Sequence, residues 1–281
     1  MILIVESGST KADWVVLDGD KNLSSFQTKG WNPLFLSSHE MMLRLKSYLE
    51  LKSVCLMIKE LYFYTPGYSD SLSFETLYTS LKGFFINAKV IIQSDIYAAA
   101  RSVYKDKPLF VSILGTGSNT AFYDGEIIEQ LKPSLGYVLG DEGSGASLGK
   151  ELLKAYLYQN LPHDLFSKFS KKHSISKDMV LKSVYKQDHP NQFLASYVPF
   201  LVDHKSHVFV ENLVQNEFKR YLNTHILSHS ICTDYSISFV GSVAFHFQHI
   251  LRKLCLENKL KIDQIVQYPI NLLTRYHIKN D

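Results

Sequence analysis

Apolar residues in this chain fall in short runs that stop at polar, glycine-rich loops. Ile2 to Val5 is apolar and breaks at Glu6-Ser7-Gly8-Ser9-Thr10-Lys11; Trp14 to Leu17 follows and reaches Asp18-Gly19, a hairpin signal. Phe110 to Leu114 breaks in the same way at Gly115-Thr116-Gly117-Ser118-Asn119, resumes at Ala121 to Tyr123 and ends at Asp124-Gly125. Strand, polar glycine loop, strand and Asp-Gly turn thus occur twice, roughly a hundred residues apart, which constrains the whole architecture if it reflects duplication. Two such hairpins could hold a polyphosphate from both sides, and two unrelated hairpins would give the same short signal.

Between them, Gly30-Trp31-Asn32-Pro33 reads as a turn and Met41 to Leu51 as a helix. Leu61 to Tyr64 is strand-like and runs into the turn Thr65-Pro66-Gly67, Phe74 to Leu81 suggests a helix, and Val90 to Ile92 suggests a buried strand. That strand ends at Gln93-Ser94-Asp95, and a helix starts at Tyr97. Asp95 therefore lies at a strand's carboxyl end, where open α/β sheets place ligands, and it would serve equally as a helix cap. Beyond Gly149 the pattern is helical from Glu151 to Tyr158, and Leu161 to Ser230 lacks glycine, with interruptions at His189-Pro190 and Pro199. Ser236 to Val240 reads as a strand ending at Gly241-Ser242. Val243, Phe247, Ile250, Leu251 and Leu254 then follow at helical spacing, a βα unit against which a flat ring could also lie.

Composition narrows the class. The chain has 281 residues, enough for two domains, with 46% hydrophobic and 20% charged residues, as in ordinary globular proteins. Its 30 basic and 27 acidic residues leave a charge of +3, too balanced to argue for nucleic acid. The apolar opening is too short for a signal peptide or a membrane helix. Cys55, Cys232 and Cys255 form no C-x-x-C pair, which suits buried thiols in a reducing cytoplasm. His246 and His249 read as one amphipathic face rather than as metal ligands.

A second glycine-rich block, Gly140-Asp141-Glu142-Gly143-Ser144-Gly145, runs into a helical pattern and puts two carboxylates beside the loop at 115–119. Gly149-Lys150 is no P-loop, because Ser144 and Glu151 stand where the motif needs Gly and Ser or Thr. Neither block contains G-x-G-x-x-G.

Four segments in order, ESGSTK at 6–11, LGTGSN at 114–119, GDEGSG at 140–145 and SFVGSV at 238–243, resemble the motifs of the sugar kinase and actin superfamily. Within it they resemble the BadF/BadG/BcrA/BcrD branch, which includes N-acetylglucosamine kinases, and the resemblance covers nearly the whole chain. It implies an α/β fold of two ribonuclease H-like, actin-like ATPase domains flanking a nucleotide cleft. Residues 1–107 would form the first and 108–281 the second, with a helical insertion at about 151–232 and the last residues returning to the first domain. A hinge is expected between Lys105 and Pro108, where Lys-Asp-Lys-Pro breaks the pattern.

The resemblance implies ATP and Mg²⁺ as cofactors and a small sugar as substrate, in a soluble protein that could form a homodimer. By it, Ser9, Thr10 and Lys11 contact the nucleotide phosphates, with Glu6 near Mg²⁺; Thr116 and Gly117 form the second phosphate contact, and Gly241 and Ser242 lie against adenosine. Asn32, Ser118, Asn119 and Asp141 fall at sugar contacts, and Asp95 at the acid that meets the acceptor hydroxyl. The chain departs from the family at Ser134-Leu135-Gly136, where vertebrate-type N-acetylglucosamine kinases carry Gly-Trp-Gly, and at Leu272, which replaces a glycine. The same branch holds dehydratase-activating ATPases with a cysteine-bound cluster, and a non-catalytic sugar or nucleotide sensor could keep the fold.

Overall fold

The computed structural model describes residues 1–67, 71–130 and 132–280. They form two compact units, one of residues 1–103 with 269–281, the other of residues 104–268.

The first unit opens with three antiparallel strands, β1 (Ile2–Ser7), β2 (Lys11–Asp18) and β3 (Lys21–Lys29), then a short 3-10 turn (Pro33–Phe35). Helices α1 (Ser38–Ser47) and α2 (Leu49–Val54) follow, then β4 (Glu60–Thr65), α3 (Ser71–Phe84), β5 (Lys89–Ser94) and α4 (Asp95–Val103). The sheet order is β3-β2-β1-β4-β5, with β1, β4 and β5 parallel. Strand alternation sends Leu3, Val5, Ala12, Trp14 and Val16 to one face, against Met41, Leu45, Leu77 and Leu81 of α1 and α3. Ile4, Val15 and Leu17 point to the other, against Ala98 of α4 and Ile270 and Leu273 of the C-terminal helix. Covered on both faces, β1 is apolar along most of its length.

The second unit repeats the plan with β6 (Leu109–Leu114), β7 (Ser118–Tyr123), β8 (Ile128–Glu129), β9 (Ser236–Val240) and β10 (Lys261–Val266), in the order β10-β9-β6-β7-β8. Each strand of one sheet thus has a counterpart in the other. Between β8 and β9 lie α5 (Gly136–Leu139), α6 (Gly145–Leu157), α7 (His163–Lys172), α8 (Lys177–Tyr185), α9 (Pro190–Ala195), α10 (Val198–Asp203) and α11 (Val208–His225). Then come α12 (Ser242–His246), α13 (Gln248–Glu257) and, in the first unit, α14 (Ile270–Asn280). Leu148 and Leu152 of α6, Phe218 and Leu222 of α11 and Leu251 and Leu254 of α13 share one core with Phe110, Ile237 and Phe239 of the sheet.

The two prolines noted in the helical stretch mark starts: Pro190 begins α9 after a left-handed His189, and Pro199 sits in the first turn of α10. Helices α6 and α9 cross where Gly149 has no side chain, and a Cβ there would strike the Leu194 carbonyl. Gly149→Ala is therefore expected to lower stability by about 1–3 kcal/mol, the usual cost of overpacking. Urea denaturation checks it, and an unchanged midpoint would contradict the packing argument.

Several expectations need correction. The helix over Met41 to Leu51 is two helices separated at Tyr48, and the one after Gly241 breaks at Phe247, so His246 and His249 lie on different helices. The strand at Val90 to Ile92 is an edge strand in which only Ile92 is buried. Ser118 and Asn119 belong to β7 rather than to a loop.

Candidate active site

In the first unit β1, β4 and β5 end together, with Glu6 opposite Tyr64 and Thr65 opposite Ser94. The turn after β1 is closed by the Gly8 amide donating to the Lys11 carbonyl at 2.9 Å and held from β3's end by the Gly30 amide on the Thr10 carbonyl at 3.0 Å. Trp31 is pinned beside these ends: its amide donates to Ser7 Oγ at 2.8 Å, and its carbonyl accepts from Ser7 Oγ at 3.0 Å and Thr65 Oγ1 at 2.6 Å. Asn32 follows, its Oδ1 accepting the Leu34 amide at 3.1 Å. Asp95, half-buried, opens α4 directly after β5.

One level inside these ends, strand register lines up Gln27, Asp13, Glu6, Tyr64 and Gln93, one residue from each of the five strands. The row faces α4 and α14. Asp13, 6% exposed, accepts from Lys11 Nζ at 2.8 Å and Gln27 Nε2 at 2.6 Å. Arg101 donates to Tyr64 Oη at 2.6 Å and also to Gln93, and Tyr64 pairs with His277 of α14 at 2.9 Å. Burial pushes the Glu6 carboxyl up to about 7; Asp13 and, less, Asp95 add to the effect, and Lys11 opposes it.

Such a crowd of carboxylate oxygens suits a hard cation. Among the described residues no three His, Cys, Asp or Glu side chains converge as a metal cage. Mg²⁺ usually takes only one or two carboxylates, with water and phosphate supplying the rest. Because folded Glu6 holds its proton more tightly than the unfolded chain does, stability from this group is full below about 4.5 and is lost as pH rises toward about 7. The nucleotide-free protein should show that decline in urea midpoints, and Glu6→Gln should flatten it. An equal slope in both proteins would contradict the Glu6 environment.

In the second unit the turn Gly115–Gly117 is closed by the Gly115 amide on the Gly117 carbonyl at 3.0 Å. The first turn of α6 grips it: the Gly145 amide donates to the Gly115 carbonyl at 2.8 Å and the Ala146 amide to that of Thr116 at 3.0 Å. Ser144 caps that helix by accepting the Ser147 amide. The last amide of GDEGSG and the one after it thus hold the loop in place. Gly241 lies beside it, at the end of β9, with φ +123 and so near Leu114 that a Cβ would meet the Leu114 carbonyl. Its amide donates to the Val266 carbonyl at 2.8 Å, and Ser242 begins α12.

Ser118, Asn119 and Asp141 meet at a cavity of about 100 Å³, whose other walls include Glu142, His225, Leu135 and Leu139. Asp141 Oδ1 accepts the Ser118 amide at 3.3 Å. Burial holds its carboxyl above the usual range, Glu142 adding to that and the Ser118 amide opposing it. Ser118 Oγ is buried with no hydrogen-bond partner among the described residues. Glu142 pairs with His225 Nε2 at 3.0 Å; burial would raise its carboxyl, but that hydrogen bond, a backbone amide and the charges of His225 and Arg220 together outweigh it, and the net shift is downward. Leu135, 55% exposed, forms part of the wall.

The residues singled out in the sequence therefore gather in each unit separately. Glu6, Ser9, Thr10, Lys11, Asn32 and Asp95 lie at one sheet's strand ends. Thr116, Gly117, Ser118, Asn119, Asp141, Gly241 and Ser242 lie around the other's. Sequence reasoning missed Asp13 and Gln27, which strand period and hairpin register would have found, and His225, which arrives from α11 without any motif. Cys232 and Cys255 are buried, and burial pushes the Cys255 thiol up to about 12. Among the described residues no helix is long and apolar enough to cross a membrane.

No family model and no curated protein matches the chain. Solved structures do. A Porphyromonas gingivalis protein named "putative N-acetylglucosamine kinase" is 34% identical, with TM-score 0.93 over 100% of this chain and 99% of that one. A Chromobacterium violaceum protein of the same name is 13% identical, with TM-score 0.71 over 98% of each chain. A ROK family glucokinase from Streptomyces griseus, solved with glucose and AMPPNP, is 12% identical, with TM-score 0.56 over 98% of each, and like the second it shows the fold alone. With two like-ordered sheets and a third of its residues shared over its full length, the chain belongs to the same family of actin-like-fold sugar kinases as the Porphyromonas gingivalis protein.

Proposed function

We propose that this protein transfers the γ-phosphoryl group of ATP to a hydroxyl, O6, of N-acetylglucosamine or a related amino sugar or hexose, and that it is a member of the BadF/BadG/BcrA/BcrD branch. The observation that carries the reading is the cavity at Asp141, where a buried carboxylate is joined in the wall by Ser118, Asn119 and Glu142. Carboxylate and amide side chains accept and donate hydrogen bonds, and sugar hydroxyls are the partners such a wall fits.

In this reading Ser9, Thr10 and Lys11 of the first unit and Thr116 and Gly117 of the second contact the nucleotide phosphates. Gly241 and Ser242 lie against adenosine. Asn32, Ser118, Asn119 and Asp141 orient the sugar. Glu6 would hold Mg²⁺, which neutralises phosphate charge when bound. Asp95 accepts the proton of the attacking hydroxyl as the sugar oxygen bonds to the γ-phosphorus, and ADP leaves with the electron pair of the broken bridging P–O bond. Phosphoryl transfer depends chiefly on positioning and charge, so the loops contribute most and the base a smaller factor.

The test is an ADP-release screen over N-acetylglucosamine, glucosamine, N-acetylmannosamine, glucose and N-acetylmuramic acid. Turnover well above the sugar-free rate with at least one is expected. Calorimetric sugar binding without ATP turnover for any of them would make the protein a sensor instead. With Leu135 at the cavity wall, the order of preference reads how the acyl group is recognised.

A further inference from the structure

Lys11 ends the first glycine loop, and its ammonium has an acceptor that the motif does not announce. Asp13 lies two residues on in β2, on the same face of the strand, and receives Lys11 Nζ at 2.8 Å. Its other oxygen is held from β3 by Gln27 Nε2 at 2.6 Å. The Asp13 side chain is 8% exposed, the Lys11 side chain 36%. A buried, two-sided acceptor thus anchors a cation whose side chain is partly exposed.

Surface ion pairs of lysine contribute little, because a four-carbon stem must be ordered for a screened attraction. Here one partner is buried and fixed on both oxygens, so the geometry is imposed on the lysine by the sheet. We propose that Asp13 is a positioning residue that tethers Lys11 at the phosphate loop, so that the nucleotide meets an ammonium already ordered. This rests on the kinase reading above. Ordering a flexible group before binding removes that cost from the binding step, and Lys11 can donate to a phosphate oxygen while still bonded to Asp13, since an ammonium has three N–H groups. An equally simple role, a strand-stabilising ion pair, would leave nucleotide affinity alone.

A double-mutant cycle separates the two. ATP affinity is measured by calorimetry, and kcat/KM for ATP with the preferred sugar, on wild type, Lys11→Ala, Asp13→Asn and the double variant. Asp13→Asn keeps the shape and still offers an oxygen to Gln27. Loss of affinity of about 10-fold is expected in the presence of Lys11 and less than about twofold in the Lys11→Ala background, since the tether acts only through the lysine. Equal losses in both backgrounds, or a lowered melting temperature with unchanged affinity, overturn the tether and leave the kinase reading standing. A wild type that binds no ATP overturns the kinase reading and the tether with it.

Discussion

Asp95→Asn is expected to lower kcat by about 10²–10⁴-fold, the usual range for a general base, while ATP and sugar affinities stay nearly as they were. Asp95 opens α4 at the carboxyl end of β5 and is half-buried. Its two candidate roles are a helix-start acid and the proton acceptor. Asn matches Asp in shape and can still accept a hydrogen bond through its Oδ1, so the substitution removes the base with little change to the helix start. An amide cannot accept the hydroxyl proton. Single-turnover kinetics with calorimetry on the same protein read both halves. Unchanged turnover would remove Asp95 from the mechanism, and a collapse in melting temperature would make it structural.

Asp141→Asn is expected to raise KM for the sugar by about 10–100-fold, since hydrogen bonds to a charged group contribute about 1.5–3 kcal/mol. KM for ATP should change little. Asp141 has φ +56, a conformation that Asn also tolerates, and an Asn Oδ1 can still accept the Ser118 amide. The cavity therefore keeps its shape and loses a charged acceptor. Initial-rate kinetics with sugar and ATP varied separately give the split. Equal rises in both constants would move Asp141 from sugar recognition to general support of the loop.

The glycine loops were legible because their chemistry is local: a strand, small residues and a turn suffice to mark Gly8 to Lys11 and Gly115 to Gly117. The repeated hairpins pointed to duplication, and the sheets carry it through to all five strands each. What escaped is what depends on partners far along the chain. Strand β3 has few apolar residues because it is an edge, and its one aromatic, Phe26, stacks on Trp14 at 5.7 Å. Strand β10 is another edge, and α14 owes its place to the core it shares with Ile4 and Val15. The breaks at Tyr48 and Phe247 carry neither Pro nor Gly, so periodicity ran through them. His225 reaches Glu142 across 83 positions, a distance no short motif can span. Asp13 was within reach, three residues past Thr10 on a strand whose period was already evident.

The most direct measurement is proton-coupled phosphorus NMR of a reaction of the protein with Mg·ATP and N-acetylglucosamine or the best sugar of the screen. Transfer to O6 places phosphorus next to a CH₂ group, so a new phosphomonoester signal split into a triplet should grow as ATP gives ADP. A doublet would assign transfer to a ring hydroxyl and contradict the O6 reading. ADP with inorganic phosphate alone, whatever the sugar, would contradict the kinase account itself.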